Sequence, residues 1–181
     1  MIARLIEVRE TKNRGRGVFA KEFIPKGTII CFECRQCRVL TADELGFYQM
    51  SEKEKMALLD WAYRKEDGTF VAPCDETRYL NHSCNANILG TDYGFDIVVE
   101  NIRKGEEATY DYRDFYDEVK MPCYCGEKNC CKVVDFKHPI SEELRHFWAV
   151  KVNAALKLVN QVSQPLKEEL KKKSIFLPLH P

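Results

Sequence analysis

A chain of 181 residues with 28 basic and 28 acidic side chains carries no formal net charge. No overall field therefore draws it to nucleic acid or to a membrane surface, and no direct nucleic-acid contact is expected. No apolar run approaches the roughly 20 residues that span a bilayer, and nine cysteines, an odd number, argue against a disulfide framework and for a reducing compartment. The N-terminal stretch carries Arg4, Glu7, Arg9, Glu10, Lys12, Arg14 and Arg16, which interrupt any apolar leader. The expectation is an intracellular protein, in cytoplasm or nucleus: one domain with a real core and an appendage.

Residues 1 to 40 read as short strands. Met1 to Val8 mixes β-branched and polar residues, and Val18 to Ala20 follows a glycine turn. Pro25-Lys26-Gly27 is a turn signal before a strand at Thr28 to Phe32. From 42 to 66 the period changes: Leu45, Met50, Met56, Leu58, Leu59 and Trp61 stand among charges, which predicts a helical insert. Ser51 with Glu54 is a capping box. Thr69 to Val71 and Asp96 to Val99 read as strands, with turns at Asp67-Gly68 and Lys104-Gly105. Ser141 opens a helix whose apolar stripe runs Leu144, Trp148, Val152, Ala155, Val159 and Val162 until Pro165 ends it. A second short helix is expected from Leu166 to Lys173. The stripe must bury somewhere, on the chain's own core or in a dimer.

Four segments carry chemistry. Arg14-Gly15-Arg16-Gly17-Val18-Phe19-Ala20 contains two glycines, which permit positive φ and close approach of a ligand to backbone. Arg78 to Asn87 contains Asn81-His82-Ser83-Cys84, and 105 to 112 runs Gly-Glu-Glu-Ala-Thr-Tyr-Asp-Tyr. Cys123-Tyr124-Cys125 to Cys130 is a C-x-C-x4-C cluster of three thiolates, where tetrahedral zinc wants four ligands. Taken singly, each has a plainer reading: a hairpin turn, a structural Asn–His pair, core tyrosines, free thiols.

In this order the segments resemble the motif series of the SET-domain protein lysine methyltransferases, over about residues 1 to 131. The resemblance implies an α+β, mostly-β fold of several small sheets with a pseudoknot, in which Asn81, His82 and Tyr112 come together. It implies S-adenosylmethionine as methyl donor, with Arg14, Arg16 and Gly17 at its amino-acid end and Asn81, His82, Tyr112 and Tyr124 as further contacts. Tyr112 is then the catalytic tyrosine. Tyr110 stands where a residue helps to set how many methyl groups are added. Cys84 joins Cys123, Cys125 and Cys130 as the fourth ligand of a structural zinc in a post-SET segment.

The expected division is a SET domain at 1–120, with its insert at about 42–66, a post-SET segment at 121–137 and a helical extension at 138–181. The expected partner is a protein bearing a target lysine, a histone tail among the options. Two rivals stand: a methyltransferase of a non-histone protein, and a SET scaffold that binds a partner without turnover. In two places the sequence departs from the family pattern. Cys34-Arg35-Gln36 replaces an aromatic-x-glycine step, and Ala86 replaces a proline. Cys31, Cys34 and Cys37 invite a second metal reading. On a continuous strand, however, Cys34 would face away from the other two, so they are read as free thiols. Cys74 and Cys131 are read as bystanders.

Overall fold

Gly15, at φ 61, lets the chain double back, so that β1 (Ile6–Glu10) pairs antiparallel with β2 (Arg16–Ala20) from Ile6 opposite Ala20 to Glu10 opposite Arg16. The computed structural model describes residues 4–173; the first residues of the expected strand at Met1 to Val8 lie outside them. After the turn at Gly27 comes β3 (Ile29–Cys31), followed by β4 (Arg38–Leu40). The strand expected at 28 to 32 therefore stops at Cys31. Cys34 to Cys37 form a turn instead, closed by the Cys37 N–H on the Cys34 carbonyl at 3.1 Å. The continuous strand through Cys31, Cys34 and Cys37 is thus not formed.

The insert has its own small core. Helix α1 (Ala42–Leu45) and helix α2 (Glu52–Leu58) each start in a capping box, Thr41 with Glu44 and Ser51 with Glu54. The first of these was not picked out from the sequence. Helix ends at Leu58, before the expected 66, because the chain turns into β5 (Tyr63–Arg64), which pairs with β6 (Phe70–Ala72). Strand β4 flanks β6 on its other side to make a three-stranded sheet. Phe47 and Phe70, both fully buried, meet at 4.8 Å between ring centroids and hold helices and sheet together.

The main sheet is assembled from distant segments. Strands β7 (Asn81–His82), β8 (Ile88–Gly90), β9 (Asp96–Val98) and β10 (Glu107–Tyr110) join it in the order β1-β2-β10-β8-β9-β3, with β7 also on β10. Strand β10 is its hub: antiparallel to β2, parallel to both β7 and β8. Val18, Ile29, Ile88, Ile97 and Ala108 are completely buried along it. A hairpin of β11 (Met121–Pro122) and β12 (Val133–Val134) brackets the cysteine-rich loop. The result is the expected α+β, mostly-β architecture of small sheets.

Helix α3 (Glu142–Leu156) is capped by Ser141 and ends nine residues short of Pro165. The stripe still reaches the core: Ala155, Leu156 and Val159 are buried in it, and Trp148 and Val152 pack against it. It does so through a bend, where Gln164 donates to the Gly27 carbonyl at 2.8 Å and accepts from the Ile29 N–H at 2.9 Å. A Cβ on Gly27 would stand 2.8 Å from the Leu158 Cβ, so only glycine fits there. Helix α4 (Lys167–Lys172) returns Leu170 to the same core. The chain's own core thus covers the middle of the stripe, from Trp148 to Val159, while Leu144 and Val162 at its ends stay partly exposed. No helix among the described residues is long and apolar enough to cross a membrane.

Candidate active site

Strand β10 fixes the site because three segments lie against it. Glu107, at its start, accepts from Asn81 Nδ2 at 2.9 Å and pairs with the Arg14 guanidinium. Asn81 Nδ2 also donates to the Arg16 carbonyl at 3.1 Å, and Arg14 to the His82 carbonyl at 3.2 Å. Gly17 lies inside β2 without the positive φ expected of it; its requirement is space, since a Cβ there would meet Glu107 Oε1 at 2.6 Å and Asn81 Nδ2 at 2.9 Å. The Arg16 guanidinium lies over the Tyr79 ring at 4.1 Å. Glu107 thus organises Arg14 and Asn81 from the Gly-Glu-Glu motif, a role the sequence reading did not assign.

Tyr112 leads a short 3-10 turn after β10. Its hydroxyl donates to the Leu80 carbonyl at 2.5 Å, and burial pushes its pKa up, so it is a neutral hydroxyl with lone pairs left over. His82 accepts from the Tyr112 backbone N–H through Nδ1 at 3.1 Å. Burial pushes this imidazole down to about 4, so it is neutral at pH 7 and sets backbone position rather than moving protons. Asp111, fully buried between them, accepts from Arg113 Nη2 at 2.6 Å and from Trp148 Nε1 at 3.1 Å. It ties α3 to the turn that carries Tyr112. The aspartate was visible within its motif, but its long-range partner Trp148 was not.

Two cavities share Tyr112 in their linings. The smaller, of about 460 Å³, is lined by Arg14, Arg16, Asn81, His82, Tyr112 and Tyr124; Gly17, expected at the cofactor, is not among its lining residues. The larger, of about 820 Å³, takes in Tyr110 together with Trp61, Tyr63, Phe115, Asp96 and Asp114. Leu59, Arg78 and Tyr112 line both. In the larger one, Tyr63, Phe115 and Tyr110 form a continuous stack at 4.7 and 5.3 Å. The Tyr110 hydroxyl donates to Asp114 Oδ2 at 2.6 Å. Burial raises the carboxyl of Asp114, and that of Asp96 to about 7. The sequence reading found Tyr110 and missed the rest of this wall, which no motif marks.

The cysteine-rich hairpin folds onto Cys84. Cys84, Cys123, Cys125 and Cys130 place their sulfurs within 4.8 Å of one another and can hold a zinc ion. The Cys131 Sγ lies 3.4 Å from that of Cys84, and with His82, Cys84 and Cys123 it makes an overlapping set of four.

A family model described as SET domain matches residues 15–113. The histone-lysine N-methyltransferase, H3 lysine-36 specific, of Debaryomyces hansenii is 37% identical over 146 residues, which is 70% of this chain and 19% of that protein. The crystal structure of the methyltransferase domain of human SETMAR superposes with a TM-score of 0.55 at 26% identity, covering 73% of this chain and 58% of that one. A structure of KRYPTONITE in complex with mCHG DNA and SAH superposes at 0.51 with 23% identity, over 71% of this chain and 28% of that one, and shares the fold. The chain spans about half or less of the curated relatives it matches: 51% of rat SETMAR, 18% of Arabidopsis thaliana SUVH5 and 2% of Drosophila virilis trithorax.

Proposed function

Because this chain belongs to the SET-domain family, we propose that it transfers methyl groups from S-adenosylmethionine to a lysine side chain of a protein, a histone tail being the first substrate to try. The observation that carries the proposal is the pair of cavities meeting at Tyr112. Methyl transfer from a sulfonium to an amine is an in-line displacement, so donor and acceptor must approach from opposite sides of one point. The smaller cavity lies in the size range of a cofactor site. Arg16 and Arg78 supply cations for a carboxylate, and Leu59, Met121 and Tyr124 supply apolar surface. Bound there, the donor supplies the activated methyl group. The relatives named as histone-lysine methyltransferases, and the SAH in the KRYPTONITE structure, support the same assignment.

On this reading the protein's work is to position and desolvate. The stack of Tyr63, Phe115 and Tyr110 encloses the lysine stem and disfavours a charged ammonium, which lowers the amine's pKa. The Tyr112 hydroxyl has its proton committed to Leu80, so its free lone pairs can accept weak C–H···O contacts from a polarised methyl. Tyr110, held by Asp114, limits the room around the nitrogen and with it the number of methyl groups added. Zinc on Cys84, Cys123, Cys125 and Cys130 would anchor Tyr124 over the smaller cavity. The same assignment divides the chain into a SET domain at 1–120, a post-SET segment at 121–137 and an extension at 138–181.

A radiolabelled methyl-transfer assay on core histones and on a lysate of the source cell tests the proposal. Label on lysine supports it. Cofactor binding without transfer to any protein in either sample would mean a scaffold instead.

A further inference from the structure

We propose that Cys34, Cys37 and Cys74 form a second zinc site, separate from the cluster around Cys84 and independent of the methyl-transfer reading. Three observations converge. First, the sulfurs are spaced for a metal: Cys34 to Cys74 is 3.5 Å, Cys34 to Cys37 is 3.7 Å, and all three lie within 4.8 Å of one another. Thiolates at about 2.3 Å from a tetrahedral zinc stand about 3.8 Å apart, whereas a disulfide brings its sulfurs to about 2.05 Å.

Second, the backbone is turned to present them. The Gln36 N–H donates to Cys34 Sγ at 3.3 Å, and the Cys37 N–H closes the turn on the Cys34 carbonyl. Backbone donors aimed at sulfur stabilise a thiolate. The cluster around Cys84 shows the same device: the Cys131 N–H on Cys84 Sγ at 3.3 Å and the Lys132 N–H on Cys130 Sγ at 3.4 Å. Third, the third thiol is not local. Cys74 arrives from the loop after β6, while Cys31 at the end of β3 turns away to Thr77 Oγ1 at 3.7 Å.

Among the described residues no further His, Cys, Asp or Glu joins the three, so the fourth position falls to water. Three soft thiolates in a tetrahedral arrangement select zinc over hard cations such as magnesium or calcium. The ion would clamp the β3–β4 turn to the loop after β6. Cys37 and Pro73, which flank that clamp, also line the larger cavity, so the metal braces one of its walls.

Metal analysis of the full chain, purified under reducing conditions with zinc present, decides it. The expected content is two zinc ions per chain, falling to one in Cys34→Ser and in Cys74→Ser. Cys125→Ser should fall to one independently, by loss at the other cluster. Cys37→His should keep two where Cys37→Ser keeps one, a rescue that a packing role for the thiol would not give. Should a variant fail to fold, wild type still answers: bound zinc should shield Cys34, Cys37 and Cys74 from iodoacetamide, and a chelator should expose them. A single ion that Cys34→Ser removes supports this site and denies the other. The proposal is overturned by a content unchanged in Cys34→Ser and Cys74→Ser, by alkylation of the three thiols in zinc-loaded protein, or by a Cys34–Cys74 disulfide in the reduced preparation.

Discussion

The smaller cavity presents Arg14, Arg16, Asn81 and Asp60, and the larger one Trp61, Tyr63, Phe95, Tyr110 and Phe115 with the carboxyl groups of Asp96 and Asp114, while Arg78 and Tyr112 line both. The first wall is polar, and its groups are held in place by hydrogen bonds to Glu107 and to backbone. The second is held by ring stacking, and its carboxyl groups are driven toward the neutral form by burial. On the proposed function, the charged cofactor would occupy the first cavity and the lysine amine, which must shed its proton, the second. Tyr112, between them, is a neutral hydroxyl, so neither side depends on it as a base.

The sharpest break of this contrast is Tyr112→Phe. It removes the hydroxyl of a residue that both cavities share while keeping the ring. The transfer rate should fall about 100-fold or more, the scale of one positioned polar group lost from a transition state. Thermal unfolding should cost only about 1 kcal/mol for the hydrogen bond to Leu80. Normal turnover in single-turnover kinetics would show that the two sides communicate through another residue.

Asn81→Ala acts on the polar wall alone. It strips donors from Glu107 and from the Arg16 carbonyl, and S-adenosylmethionine affinity by calorimetry should fall by about 1–3 kcal/mol. Unchanged affinity would detach Asn81 from that cavity's function.

Asp96→Asn acts on the aromatic wall. The folded-state pKa of about 7 lies above the ordinary 3.8, so the fold binds this proton more tightly than the unfolded chain does. Stability contributed by that proton is complete below 3.8 and drains away as pH rises through 7. The asparagine variant, with no charge to bury, should therefore lose that pH dependence and gain on the order of 1–3 kcal/mol over wild type at pH 8 in denaturant titrations. Parallel pH profiles for the two proteins would mean that Asp96 is solvated.

The smallest expected effect on rate belongs to Tyr110→Phe. The first transfer should hardly change, but mass spectrometry of a lysine peptide should show products carrying more methyl groups than wild type makes. Efficient trimethylation by wild type would remove Tyr110 as the limit.

The two walls also differ in how far the sequence discloses them. The polar one is written in short runs: Arg14 to Gly17, Asn81 and His82, Glu107 to Tyr112. Taken locally each run has a plainer reading; it is the family resemblance they carry together that named Arg14, Arg16, Asn81, His82 and Tyr112, while Arg78, Asp60 and Glu107's organising part went unnamed. The aromatic one draws Tyr63 from the insert and Phe115 from a loop, residues whose types suit any core. Only the fold brings them into one stack. The same limit explains the thiols. Strand periodicity separates Cys34 from its neighbours only if the strand continues, and nothing in 31–37 announces that it stops. Helix α3 ends early for a similar reason: the bend is set by Gly27 and Gln164, far from its own residues.

The pairing of β10 has a consequence for how the molecule comes into being. Arg14, Asn81 and Tyr112 are all held by a strand that begins at Glu107, so during synthesis the first two emerge long before the partner that orients them. Segments that must wait for a distant strand pay loop-closure entropy first and close late. Cofactor affinity should therefore appear only once the main sheet is complete. A nascent chain stalled before Glu107 would hold two of the four motif segments, with Arg14 and Asn81 still lacking the strand that orients them. On the proposed function, cofactor binding would be a readout of finished folding.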